Sequence, residues 1–168
     1  GLAEVVQLVT GDGETGRHLV RQPGIDAVAF TGSLAAGRVV AAVCGAAARP
    51  LQAELGGNNA VIVMGGIDVE AVAQEVAAAA FSFSGQRCTA PRRLIVDKGI
   101  RGPFEEALVA ATRALRIGDP GEEATRIGPL VSREQQERII ALLSSPSGGR
   151  VACGGGVPTG FERGCWLK

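Results

Sequence analysis

Imidazole is nearly missing from this chain, in which His18 is the only histidine. The four cysteines, Cys44, Cys88, Cys153 and Cys165, include no CxxC pair, so a zinc site has too few well-spaced ligands. They are also too sparse for a disulfide-stapled secreted domain, and free thiols are expected. Neither sign of charge is in excess, since 17 basic residues face 17 acidic ones. Net charge therefore offers no attraction for nucleic acid or a charged membrane surface, and a small-molecule partner is expected. No apolar run reaches the roughly 18 residues of a membrane span, and the first residues lack the basic start and apolar core of a signal peptide. A cytoplasmic location follows as the expectation. An initiating methionine is missing too: the chain opens at Gly1-Leu2 and stops at Trp166-Leu167-Lys168, so a fragment is expected.

What the chain does have is apolar material, 46% of 168 residues, enough to bury a core in one domain or in pieces of two. Short β-branched runs alternate with longer helical patterns, the signature of a sheet with crossover helices. Strands are expected at Glu4 to Val9, Ala27 to Thr31, Ala60 to Met64, Arg93 to Asp97 and Arg150 to Cys153. A short helix is expected near Thr15 to Arg21. Ser33 is placed to cap a helix running to about Ala47, with Pro50 marking a break after it. From Asp68, a good N-cap, Val69, Val72, Val76, Ala79, Ala80 and Phe83 recur at helical spacing, and Gly85 can end the helix. Pro103, Glu105 and Glu106 in a first turn, with Arg113 and Arg116 in the last, suit another helix dipole. Ser132 and Gln135 have capping-box spacing for a helix through about Leu143.

Several stretches have chemical potential. Gly11, Gly13 and Gly16 follow a strand and open a helix, as in a dinucleotide-binding turn, but no acidic residue follows at the spacing that would bind a ribose. The reading in which they only shape a tight strand-to-helix turn is the favoured one. Phe30-Thr31-Gly32-Ser33 brings a strand into a helix N-terminus whose free N–H groups attract phosphate, although an ordinary serine cap reads the same way. Glu54 stands beside Gly56 and Gly57 in an apolar setting; burial there would raise its pKa toward that of a general base, whereas a strand-end surface glutamate would need no such role. Cys88 lies just beyond a helix, in a polar turn beside Arg87, whose charge would favour the thiolate. Cys44, among Val39, Val40 and Val43, reads as a small core residue.

Taken in order, these stretches resemble the aldehyde dehydrogenase superfamily. The glycine turn, Phe30-Thr31-Gly32-Ser33, Glu54-Leu55-Gly56-Gly57, Gly85-Gln86-Arg87-Cys88, and Ile117-Gly118-Asp119-Pro120 with Gly128-Pro129-Leu130 follow the family's sequence of motifs over nearly the whole chain. Glu54 and Cys88 stand 34 positions apart, like the family's glutamate and cysteine. The resemblance implies an α/β fold in which residues 1–55 are the end of a Rossmann-like coenzyme domain and 56–168 the start of an α/β catalytic domain, both partial. It implies an enzyme using NAD or NADP, with Cys88 as nucleophile and Glu54 activating the water that hydrolyses a thioester. Gly32 and Ser33 would lie at the cofactor pyrophosphate, Leu55 and Gly56 along the nicotinamide path, and Gly13 and Gly16 would be structural. The parent would be a homo-oligomer acting on an aldehyde.

Asn58-Asn59, Gln86-Arg87-Cys88-Thr89 and Arg92-Arg93 are similar to the branch acting on aminoadipic, glutamate and succinylglutamate semialdehydes. The segment Gly65-Gly66-Ile67-Asp68 departs from the family in carrying less acidic charge. An oxyanion asparagine and ribose-binding residues are not found in the chain, so the segment alone is expected to be inactive. A CoA-acylating relative would not need Glu54, a non-catalytic relative would not need Cys88, and a cysteine hydrolase would have to draw its base from His18.

Overall fold

Parallel strands cannot be joined by a tight turn, and this chain twice meets that constraint by inserting a helix between two short strands. The computed structural model describes residues 1, 4–145 and 148–168. Two compact units divide them, Gly1–Gly57 and Asn58–Lys168.

In the first unit a short helix α1 (Gly13–Leu19) precedes β1 (Val28–Gly32), α2 (Leu34–Ala46) and β2 (Leu51–Leu55). β1 and β2 pair in parallel, Val28 opposite Leu51 through Gly32 opposite Leu55. Ser33 caps α2 as expected, its Oγ accepting the Ala36 N–H at 3.1 Å. Gly37, Val40 and Cys44 form the buried stripe of α2, so Cys44 is a packing residue. A Cβ at Gly37 would lie 2.5 Å from Leu55 Cδ2, so the glycine lets α2 sit directly on the end of β2. Past α2, Arg49 folds back to donate to the Val20 and Gln22 carbonyls, the latter at 3.1 Å.

The second unit repeats the plan with β3 (Asn59–Val63), α3 (Val69–Phe81) and β4 (Pro91–Val96), then adds α4 (Arg101–Arg113) and α5 (Arg133–Ser144). β3 and β4 are parallel, with Val61 opposite Leu94 and Val63 opposite Val96. Alternation turns Val61, Val63, Leu94 and Val96 to one face, where they meet Ala73 and Val76 of α3 and Phe104 of α4. Asp68 caps α3 by accepting the Ala71 N–H at 3.0 Å, and Ser132 caps α5 by accepting that of Gln135 at 3.3 Å. No helix among the described residues is long and apolar enough to cross a membrane.

Three expectations need correction, and one strand was not foreseen. Glu4 to Val9 is not a strand: no described segment pairs with it, and Val5, Val6, Leu8 and Val9 are exposed. β2 is a strand that its composition concealed, since Leu51, Ala53 and Leu55 alternate but none is β-branched. Arg150 to Cys153 forms no strand; the pairing in that region comes just after it, where the Gly155 N–H donates to Lys168 and the Lys168 N–H to Gly156. Helix α4 starts at Arg101, so Glu105 and Glu106 fall in its second turn; Glu105 pairs with Arg150, and Arg116, beyond the helix, pairs with Glu122 at 2.5 Å.

Phe104, 1% exposed, is the largest fully buried side chain among the described residues. Phe104→Ala is expected to destabilise the protein by about 3–5 kcal/mol through lost burial and the cavity left behind. A urea melt showing less than about 1 kcal/mol of loss would mean that α3, α4 and the β3–β4 sheet do not share one core.

Candidate functional site

The candidate residues of the first unit gather at one edge of its sheet. Because β1 and β2 run parallel in register, Thr31 stands opposite Glu54 and Gly32 opposite Leu55, so both strands end beside the N-terminus of α2. Ser33 Oγ takes the Ala36 N–H and the Ser33 carbonyl takes that of Gly37. Helix geometry leaves the N–H groups of Leu34 and Ala35 without a helical partner, at an exposed end with no acidic residue in its first turn. Gly32 has a reason of its own within the fold, since a Cβ there would lie 2.6 Å from Phe30 Cζ. The Leu55 side chain lies against Gly37, so what Leu55 presents at the strand end is backbone, while Gly56 is exposed with open space where a Cβ would stand. Glu54 is exposed, not enclosed in an apolar setting.

The other glycine turn is already served by the chain itself. Asp12 caps α1, its carboxylate accepting the Glu14 and Thr15 N–H groups at 3.0 and 3.2 Å. These bonds, Thr15 first and Glu14 second, hold the Asp12 carboxyl below its ordinary pKa. A side-chain anion thus occupies the end of the helix where a phosphate would sit, and Gly13 and Gly16 belong to α1 itself.

In the second unit, α3 ends at Phe81 and the chain enters a turn in which Phe83, Ser84 and Gly85 all have positive φ, 52°, 57° and 69°. For the two non-glycine residues the left-handed conformation costs roughly 1–2 kcal/mol each. The surroundings offset it. Ser84 Oγ donates to the Gly128 carbonyl at 2.8 Å. Gln86 donates through Nε2 to the Pro129 carbonyl at 3.4 Å, and its Oε1 accepts the Val131 N–H at 2.8 Å. Asn59 Nδ2, at the start of β3, donates to the carbonyls of Cys88 and Ala90 at 2.6 and 3.2 Å. The motifs Gly85-Gln86-Arg87-Cys88 and Gly128-Pro129-Leu130, far apart in sequence, are therefore two sides of one hydrogen-bonded structure. Neither Gln86 nor Asn59 stood out from the sequence as a loop holder; the only signal was a carboxamide inside each motif.

Cys88 is the one exposed cysteine among the described residues; Cys44 is buried, and Cys153 and Cys165 are half-buried. The Cys88 N–H donates to no acceptor among the described residues. Arg87 places its guanidinium over the Phe83 ring, 4.3 Å from the centroid, a contact worth about 0.5–1 kcal/mol at an exposed site. An apolar cavity of about 550 Å³ in the same unit is lined by Leu94, Leu108, Ile117, Leu130 and Cys153, but not by Cys88. The arrangement that remains is an accessible thiol with a free backbone donor on the same residue, on a turn held by side-chain amides. Such a residue can attack an electrophilic carbon and stabilise the oxyanion that forms on it.

Residues 3–168 match the aldehyde dehydrogenase family. Among curated relatives, a chloroplastic betaine aldehyde dehydrogenase of Beta vulgaris is 35% identical over 167 residues, covering 98% of this chain and 33% of that protein. Among solved structures, gamma-glutamyl-gamma-aminobutyraldehyde dehydrogenase from Burkholderia cenocepacia J2315 superposes with a TM-score of 0.89 at 34% identity, covering 95% of this chain and 33% of that one. A Mycobacterium tuberculosis aldehyde dehydrogenase solved with NAD+ gives 0.88 at 32% identity, over 92% of this chain and 32% of that one. The chain thus spans about a third of the length of the relatives it matches.

Gly85 is doubly constrained, because a Cβ there would also lie 3.2 Å from the Ala80 carbonyl oxygen. Gly85→Ala is expected to lower stability by about 1–2 kcal/mol, whereas Gly16→Ala, in open space within α1, should be neutral or raise it by up to about 1 kcal/mol. Equal unfolding midpoints for the two variants would show that the turn before Cys88 is not held in the left-handed region.

Proposed function

The chain belongs to the aldehyde dehydrogenase family and has its α/β fold, and on that footing we propose that it carries the nucleophile and the base of an enzyme oxidising aldehydes to carboxylic acids with NAD or NADP. The observation that carries this reading is the exposed Cys88, whose N–H donates to no acceptor among the described residues, on a turn pinned by Gln86 and Asn59.

In this proposal the Cys88 sulfur, as thiolate, bonds to the aldehyde carbon, and the carbonyl oxygen gains the electron pair as an oxyanion facing the Cys88 N–H. Loss of hydride from that carbon, the chemistry a bound nicotinamide supplies, leaves a thioester on Cys88. Glu54 then takes a proton from water, whose oxygen bonds to the thioester carbon; the carbon–sulfur bond breaks, freeing the carboxylic acid and the thiolate. The end of α2 suits a pyrophosphate through the free N–H groups of Leu34 and Ala35 beside Gly32 and Ser33, and open space at Gly56 suits close approach of a ring along the Leu55–Gly56 backbone. Residues to about Leu55 would belong to the coenzyme domain and those from Gly56 to the catalytic domain, a division in keeping with the two compact units. The parent would be a homo-oligomer acting in the cytoplasm, and the segment by itself would not turn over.

The motifs Asn58-Asn59 and Gln86-Arg87-Cys88-Thr89 favour a small semialdehyde as substrate. A second reading is favoured by a relative named for betaine aldehyde, a compound that carries a quaternary nitrogen instead of a carboxylate.

In the parent enzyme Cys88→Ala is expected to abolish aldehyde oxidation, and Glu54→Gln to give one burst of reduced cofactor followed by stalling. Steady turnover by either variant would overturn the roles. Comparison of kcat/KM for glutamate semialdehyde, betaine aldehyde and a medium-chain alkanal separates the two substrate readings, and a strong preference for the alkanal excludes both.

A further inference from the structure

We propose that Asn59 is a positioning residue for Cys88, its one carboxamide fixing the peptide on the C-terminal side of the nucleophile; the proposal rests on the reading of Cys88 given above. The turn that carries Cys88 is closed by the Ala90 N–H donating to the Arg87 carbonyl at 3.2 Å. The carbonyls of Cys88 and Ala90 both receive hydrogen bonds from Asn59 Nδ2. A carboxamide nitrogen has two hydrogens in one plane, so a single rigid group can pair both carbonyls and set the direction each one points.

The sheet calls for such a group here. Asn59 lies opposite Pro91, but Ala60 lies opposite Arg93, so the ladder is interrupted between the first two residues of β3. Pro91 has no N–H to give, and the start of a regular parallel ladder is lost. The Asn59 side chain adds a tie between the start of β3, where the ladder is irregular, and the residues leading into β4. On the other side of Cys88, Gln86 is tied to Pro129 and Val131. Cys88 therefore sits between two amide anchors that come from different parts of the unit.

Anchoring the Cys88 carbonyl restricts the rotation about its Cα–C bond, and Gln86 restricts the approach to its N–H. Thiol and oxyanion donor belong to the same residue, so their relative placement follows from these two restraints. A misplacement of about 1 Å at a reacting centre can cost on the order of 100-fold in rate. Asn59 thereby has a role other than substrate choice, because its amide is committed to the loop.

The test uses the parent enzyme and compares Asn59→Ala, Asn59→Asp and Asn59→Ser with Cys88→Ala. Asn59→Ala should lower kcat roughly 10- to 100-fold, while KM for the cofactor stays within about twofold. The Cys88 thiol should still be alkylated by iodoacetamide at close to the wild-type rate, as shown by the mass of its peptide, because the turn remains exposed. Asn59→Ser, which retains one donor, should be intermediate. Asn59→Asp is nearly the same size but turns a carboxylate toward two carbonyl oxygens. Its kcat should fall below that of Asn59→Ala at neutral pH and rise relative to wild type as the pH drops and the carboxyl regains a donor proton.

Wild-type kcat in Asn59→Ala and Asn59→Asp, with Cys88→Ala inactive, would overturn the positioning role and leave the nucleophile intact. So would a fall in kcat that only tracks the folded fraction, with the Asn59→Asp pH profile parallel to wild type. Normal turnover by Cys88→Ala would instead remove the reading on which the proposal stands.

Discussion

An irregular loop has to pair its backbone polar groups without a helix or a ladder, and in this chain that requirement is met around Cys88 by two side-chain amides. Asn59 pairs two carbonyls of the turn, and Gln86 pairs one carbonyl and one N–H of the segment beside it. Much of the second unit can be traced to this need. β3 begins with Asn59 and so brings it to the turn, and the segment from Gly128 to Val131 has to stand still if Gln86 and Ser84 are to bind it. That segment is held in turn from the C-terminal side: the Leu130 N–H donates to the Cys165 carbonyl at 2.8 Å, and buried Gln136 donates to the Trp166 carbonyl at 2.6 Å. Phe161 packs against Trp166 with ring centroids 4.7 Å apart. The Leu130–Cys165 backbone hydrogen bond and the Gln86 carboxamide thus link the segment around that aromatic pair to the loop.

The first unit solves a different problem with glycine. Gly37 lets α2 approach the end of β2, and the parallel register then places the ends of both strands beside the start of that helix. Ligands of open parallel sheets favour this edge because the loops there are free and helix N–H groups point toward it. The contrast with α1 is informative: its glycine turn looked equally able to take a phosphate, but Asp12 already fills the helix end with its own carboxylate.

What the sequence made legible was mostly local. Caps at Ser33, Asp68 and Ser132 are single-residue signals with a single-residue mechanism, and each caps the helix expected of it. Of the helical spacing read for α3, Val69, Val72, Val76 and Ala80 fall on its buried or half-buried side, whereas Ala79 is exposed, Phe83 lies exposed beyond the end of the helix, and buried Ala73 and Ala77 were not picked out. β2 escaped because Leu51-Gln52-Ala53-Glu54-Leu55 has a strand's alternation without a strand's residues; pairing with β1 makes it one. Glu4 to Val9 misled for the opposite reason, having a strand's residues without a pairing partner among the described residues. The order of motifs named the family and pointed to Cys88 and Glu54. It was silent on Asn59 and Gln86 as anchors, because a hydrogen bond across 29 or 45 positions leaves no trace in local pattern.

The most direct test of the central role given to Cys88 is to look for the acyl group itself. The parent enzyme carrying Glu54→Gln is mixed with aldehyde and NAD or NADP, quenched in acid within the burst, digested and weighed peptide by peptide. The acyl mass should appear on the peptide containing Cys88 and on none containing Cys44, Cys153 or Cys165. Acylation of another cysteine, or a burst of reduced cofactor with Cys88 unmodified, would contradict it.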